Sequence, residues 1–170
     1  FRTFIPSHYY EQIDLGYNYR MTELQAALGL SQLQRLDDFM TRRQELAKRY
    51  DRLLADLPLS IPWQHPDTYS AWHLYVIRLN LEKIEPNRRK VFEYLRQQGI
   101  GVNVHYIPVH TQPYYRHLSF EPDGFLEAEK YYQDALTLPL FPAMSESDQD
   151  SVVYALREAL ATESSEKSKV

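Results

Sequence analysis

Apolar residues recur at three- and four-residue spacing through the first third of this chain, and the rhythm then changes twice. Leu24, Ala27, Leu28, Leu33, Leu36, Phe39 and Met40, followed by Leu46, Tyr50, Leu53, Leu54 and Leu57, predict a helical run from Thr22 to Leu57. Its start is signalled by Thr22-Glu-Leu-Gln25, a capping box in which the Thr22 hydroxyl accepts from the Gln25 amide and the Gln25 side chain reaches back. Pro58 closes it. A single helix of that length far exceeds the usual ~11–12 residues, so a bend or break is expected, with Gly29 and the Asp37-Asp38 region as the candidate positions. Such a helix either bridges two domains or caps one small core, and the pattern favours neither.

The middle of the chain reads as an α/β unit. Trp72 to Leu79 is aromatic and β-branched, which suits a strand. Asn87 is placed to cap a short helix carrying Val91, Phe92 and Leu95, and Gly99 is placed to end it. Residues Ile100 to Ile107 predict a second strand, with Val102, Val104 and Tyr106 on one face and Asn103 and His105 on the other. Pro108 and Pro113 then impose a loop carrying His110, Tyr114, Tyr115 and His117. A helix over Glu127–Leu136 and a last one capped by Ser145, with Val152, Val153, Leu156 and Leu160 along its stripe, complete the pattern. Thr162 to Val170 is polar and is expected to be disordered. Few strands and several helices, with a sheet covered mainly on one side, predict an α+β fold.

Composition narrows the function classes. The 170 residues suffice for one core of ordinary size, with 44% apolar and 25% charged residues. The net charge of −4 provides no basic field for nucleic acid. The absence of cysteine excludes disulfides, thiolate chemistry and cysteine-based zinc sites. No apolar run is long enough to span a bilayer and no signal-peptide pattern is visible, so a cytoplasmic location is expected. The chain begins Phe-Arg-Thr-Phe rather than with Met, as expected after removal of a leader or for a piece of a longer polypeptide.

The richest candidate chemistry lies in Asp14–Gln25, where Asn18, Tyr19 and Arg20 precede the helix start. Arginine supplies a planar donor fork that matches carboxylate or phosphate, and Asn18 adds an amide donor. A salt bridge from Arg20 to Glu23 or Asp14, and a turn stabilised by Asn18, are equally compatible with the spacing. His105, His110 and His117 do not make a metal set, since their spacing crosses prolines and no carboxylate completes it. His105, on the strand face opposite the valines, either points at a ligand or bonds to a neighbour.

The segment Gly16-Tyr-Asn-Tyr-Arg-Met21 with Thr22-Glu-Leu-Gln-Ala-Ala-Leu-Gly-Leu30 resembles the motif of DegT-like nucleotide-sugar aminotransferases, a fold-type-I family dependent on pyridoxal 5′-phosphate. Arg42-Arg43 to Tyr50, Trp72-His-Leu-Tyr75, Gly101-Val-Asn-Val-His-Tyr-Ile-Pro-Val-His110 and Leu138-Pro-Leu-Phe-Pro142 match in the same order, so the resemblance extends to about Leu160. Val102–His110 with Gln112-Pro-Tyr-Tyr115 is most similar to the branch serving pseudaminic acid biosynthesis, which converts a UDP-linked 4-keto-6-deoxy-N-acetylhexosamine to the 4-amino sugar with glutamate as donor.

The resemblance implies an organisation. Residues 1–21 would end the large-domain loop region, 22–57 form a long inter-domain helix and 58–161 a small C-terminal domain with a mainly antiparallel sheet, leaving 162–170 as a tail. The cofactor-binding domain, with its Schiff-base lysine, would precede Phe1, because Lys48, Lys83, Lys90, Lys130, Lys167 and Lys169 all lie in the wrong context. Asn18 matches an asparagine that reaches the cofactor phosphate of the other subunit of a homodimer. Arg20 matches a neighbouring arginine that holds the loop or an anionic substrate group. His105 and Tyr106 match the strand beside the sugar pocket and would orient the nucleotide sugar or glutamate. Two other readings stay open: a stand-alone interaction or dimerisation module without catalysis, and a transaminase of a different nucleotide sugar.

Overall fold

In the computed structural model, which describes residues 16–17, 19–118, 120–121 and 124–161, the helical run is broken in two. Helix α1 spans Glu23–Leu33 and α2 spans Leu36–Leu53. The break falls at Gln34–Arg35, beyond Gly29 and just short of the aspartates. There the Arg35 N–H bonds back only three residues, to the Gln32 carbonyl at 3.0 Å, instead of continuing the four-residue ladder. Asp37 and Asp38 then sit in the first turn of α2, where carboxylates favour the positive end of a helix dipole. The run also stops at Leu53 rather than Leu57. The chain divides into two compact units, Phe1–Leu36 and Asp37–Val170.

The first unit carries α1, whose capping box forms as the sequence predicts: the Gln25 N–H donates to Thr22 Oγ1 at 3.3 Å and the Thr22 N–H to Gln25 Oε1 at 2.9 Å. No residue of α1 is buried.

The second unit is built on a three-stranded antiparallel sheet of order β1-β2-β3: β1 is Leu59–Ser60, β2 Tyr75–Leu79 and β3 Ala135–Leu138. Tyr75, Ile77 and Leu79 point to one face and are fully covered, whereas Val76 and Arg78 on the other face are half-buried. Leu46, Ala47 and Tyr50 of α2, Val91 and Leu95 of α3 (Arg88–Gln97), and Val152, Val153 and Leu156 of the last helix (Glu146–Ala161, α5) share one core with them. Burying each such leucine, isoleucine or valine contributes about 1.5–3 kcal/mol.

Local signals explain α3. Asn87 Oδ1 accepts from the Lys90 N–H at 3.0 Å, and Gly99 adopts φ 78°, which glycine takes without a Cβ penalty. The Gly99 and Ile100 N–H groups then bond to the Arg96 and Leu95 carbonyls, at 3.1 and 2.9 Å, as in a Schellman ending.

Two elements differ from expectation. The helix placed over Glu127–Leu136 is α4, Leu126–Asp134, and its last two residues belong instead to β3, all four of whose side chains are buried. The strand placed over Ile100–Ile107 is reduced to one bridge, in which Asn103 and Thr137 exchange bonds of 3.2 and 2.8 Å. Ladder geometry explains this. The next donors on that edge of β3 belong to Ala135, whose N–H closes the last turn of α4 on the Tyr131 carbonyl, and Pro139, which has none. The predicted shared face dissolves accordingly: Val102 is buried, Val104 half-buried and Tyr106 exposed.

Arginines fasten the periphery. Arg78 grips Asp134 bidentately (Nε–Oδ1 2.9 Å, Nη2–Oδ2 2.8 Å), while the guanidiniums of Arg78 and Arg88 lie over the Tyr131 and Tyr132 rings. Helix α4, with no buried residue, is thus held chiefly by polar and cation–π contacts. Arg43 gathers the carbonyls of Trp72, His73 and Leu140 at 2.8, 3.3 and 3.1 Å. That clamp sits where Trp72 adopts φ 48°, an unfavourable conformation for a bulky residue, and the Trp72 indole N–H donates to Gln44 at 3.2 Å.

Candidate functional site

Asn18 lies outside the described residues. Arg20 belongs to the first unit, in the exposed stretch before the Thr22 cap, next to Tyr19, whose ring stacks on Tyr17 at 5.5 Å. The salt bridge considered for it with Glu23 does not form, and among the described residues Arg20 has no ion pair. Asp14, the other carboxylate considered for it, lies outside the described residues.

His105 and Tyr106 belong to the second unit, directly after the Asn103–Thr137 bridge. His105 is half-buried and turned onto β3: Nδ1 lies 2.8 Å from Thr137 Oγ1, and Nε2 lies 3.5 Å from Asn103 Nδ2. Since an amide nitrogen only donates, the network assigns the ring proton to Nδ1, which donates to the threonine hydroxyl. His105 thus faces a neighbour with each nitrogen, as the simpler of its two readings expected. Tyr106 is 73% exposed, with its ring edge-on to His105 at 4.6 Å. The pair presents a fixed imidazole beside an open phenol.

Thr137 escaped sequence reasoning because the predicted helix Glu127–Leu136 takes in Ala135 and Leu136 and leaves Thr137 in no element. The four residues Ala135–Leu138 are too few to show a period, so no local signal marks it. His110 is not free either. It pairs with Glu129 and belongs to a different cluster from His105, and among the described residues no group of three metal-ligating side chains forms. An open trough of about 490 Å³ between Trp63, Val76, Arg78 and Tyr131 contains none of the predicted site residues.

Lys48, Lys83, Lys90 and Lys130 are all exposed, and Lys130 lines an open groove beside Arg78 and Asp134.

A small antiparallel sheet backed by helices, with donors at its rim, is the architecture of part of a fold-type-I aminotransferase. The chain belongs to the DegT/DnrJ/EryC1/StrS aminotransferase family, whose model matches residues 5–157. It is 43% identical over 155 residues to the spore coat polysaccharide biosynthesis protein SpsC of Bacillus subtilis, a match that covers 89% of this chain and 40% of SpsC. Among solved structures it superimposes on PseC of Helicobacter pylori, an aminotransferase involved in the biosynthesis of pseudaminic acid. There the TM-score is 0.78 and the identity 29%, covering 88% of this chain and 40% of PseC. The sugar aminotransferase Spr1654 of Streptococcus pneumoniae, solved in its PLP form, matches with a TM-score of 0.74 and 29% identity over 82% of this chain and 36% of that one. The chain therefore spans about two fifths of the length of these relatives. Among the described residues no helix is long and apolar enough to cross a membrane.

Proposed function

We propose that this chain is the C-terminal portion of a pyridoxal phosphate-dependent aminotransferase. In this reading the whole protein converts a UDP-linked 4-keto-6-deoxy-N-acetylhexosamine to its 4-amino sugar, with glutamate as amino donor, and works as a cytoplasmic homodimer. The observation that carries the reading is the family match across residues 5–157, joined to the presentation of His105 and Tyr106 at the sheet edge. The Schiff-base lysine would lie in the portion that relatives have and this chain lacks. When bound, the cofactor supplies the electron sink for amino transfer.

The residues of this chain would bind and orient. Asn18 would donate its amide to the cofactor phosphate of the neighbouring subunit. Arg20 would hold a carboxylate or phosphate of a substrate through its donor fork. His105, its proton directed at Thr137 and its Nε2 facing the Asn103 amide, would fix the edge from which Tyr106 offers its phenol to a sugar hydroxyl.

The test is to incubate the full-length protein with glutamate and the UDP-4-keto sugar and follow the product by mass spectrometry. A 4-amino sugar is expected. Transfer to a different 4-keto nucleotide sugar would move the assignment within the family, whereas absence of transfer to any of them would favour a non-catalytic module and overturn the reading.

A further inference from the structure

His110 is assigned no role by the family resemblance, and its surroundings are unlike those of an ordinary loop histidine. Its side chain is 14% exposed and its Nε2 lies 2.8 Å from Glu129 Oε1 on α4. The ring stacks on Phe125, with centroids 4.4 Å apart and planes at 19°, and Phe120 meets it edge-on. The loop is tied internally as well: Thr111 Oγ1 donates to the Pro108 carbonyl at 2.8 Å, and Arg116 Nε donates to the Thr111 carbonyl at 2.7 Å.

Five residues earlier, His105 is fixed to Thr137 on β3. Helix α4 ends at Asp134 and β3 begins at Ala135, so both anchors, Glu129 and Thr137, belong to one continuous piece of scaffold. The span between the histidines is fastened at each end and open in the middle: Tyr106, Ile107 and Val109 are exposed, and Pro108 alone turns inward. The described core does not hold this tip by burial. Fixing the ends while leaving an aromatic tip exposed instead removes the ordering cost of binding a ligand there.

We propose that His110 and Glu129 are positioning residues: they hold the 105–110 span so that Tyr106 meets the sugar portion of a nucleotide sugar. The proposal rests on the functional reading above. Aminotransfer separates into a glutamate half and a sugar half, and this divides a positioning role from a structural one. In the full-length protein, Glu129→Ala is expected to raise KM for the UDP-4-keto sugar about tenfold, the loss of one charge-assisted hydrogen bond. The glutamate half-reaction should stay within about twofold of wild type. Glu129→Gln, which keeps an acceptor, is expected to restore part of the affinity, and trypsin should cut after Arg116 faster in Glu129→Ala.

Equal loss in both halves, or an unchanged KM for the sugar, overturns the proposal. Calorimetry with the nucleotide sugar separates its failure from that of the functional reading. Wild-type protein that binds the sugar without amino transfer overturns the reaction alone, and the affinity ratio of Glu129→Ala to wild type then decides the clamp. A wild type that does not bind the sugar overturns both.

Discussion

Tyr75 shows how single side chains set the interior of the second unit. Burial, foremost, pushes its hydroxyl well above the ordinary tyrosine range, and the Asp51 carboxylate it donates to at 2.7 Å pushes the same way. The phenol therefore stays a neutral donor beyond the pH at which an ordinary tyrosine ionises. Tyr75→Phe keeps the packing against Tyr50, 5.0 Å away, but leaves Asp51 without that donor. A loss of about 1–2 kcal/mol in urea denaturation is expected, and a change below about 0.5 kcal/mol would show that water replaces the bond at no cost. Neither the buried hydroxyl nor the Thr137 that holds His105 was legible in the sequence. Both contacts join residues far apart in the chain, and no local pattern encodes them.

At the scale of elements, helix ends were the most legible features. Thr22, Asn87, Gly99 and Ser145 act where the sequence places them, because capping joins neighbours three residues apart or needs only one permissive backbone. Asn87→Ala should lower stability by about 1 kcal/mol, read as a fall in the melting midpoint; an unchanged midpoint would mean the cap of α3 is dispensable.

The α5 cap predicts a pH dependence. The Ser145 hydroxyl and then its N–H donate to Asp148 and hold that carboxyl below its usual range. A carboxyl depressed in the folded state contributes stability that is complete above the unfolded value and is lost as pH falls through the folded one. Wild type should therefore lose thermal stability more steeply than Asp148→Asn below about pH 4, while parallel melting curves would remove charge from the account. Strands were the less legible elements. Ala135–Leu138 is four residues long, too short to show a period, and the edge that stops Ile100–Ile107 from pairing is set by Pro139 and by the last turn of α4.

For the whole molecule, the telling element is α1. Leu24, Leu28, Leu30 and Leu33 are 61–83% exposed on a helix whose only charged residue is Glu23. Such a helix ordinarily lies within a larger protein, and the chain spans about two fifths of SpsC. The 170-residue chain should accordingly bind a hydrophobic dye, and Leu24→Gln with Leu28→Gln should reduce the fluorescence; an equal signal would place the apolar surface elsewhere. Mixed with substoichiometric pyridoxal phosphate, the chain should develop no visible absorbance that depends on any single lysine, since its described lysines are all exposed. A reducible band lost on replacing one of them would overturn this.

What the sequence determined by itself is what short-range physics encodes: the caps, the amphipathic stripes of α2, α3 and α5, the α+β class, and the motif residues Asn18, Arg20, His105 and Tyr106 as candidates. Tertiary structure alone decided where the long helix breaks, that Ala135–Leu138 pairs as a strand, and that His105 and His110 are held by Thr137 and Glu129. Those outcomes depend on which donors remain free once distant segments meet, and a linear pattern does not carry that information.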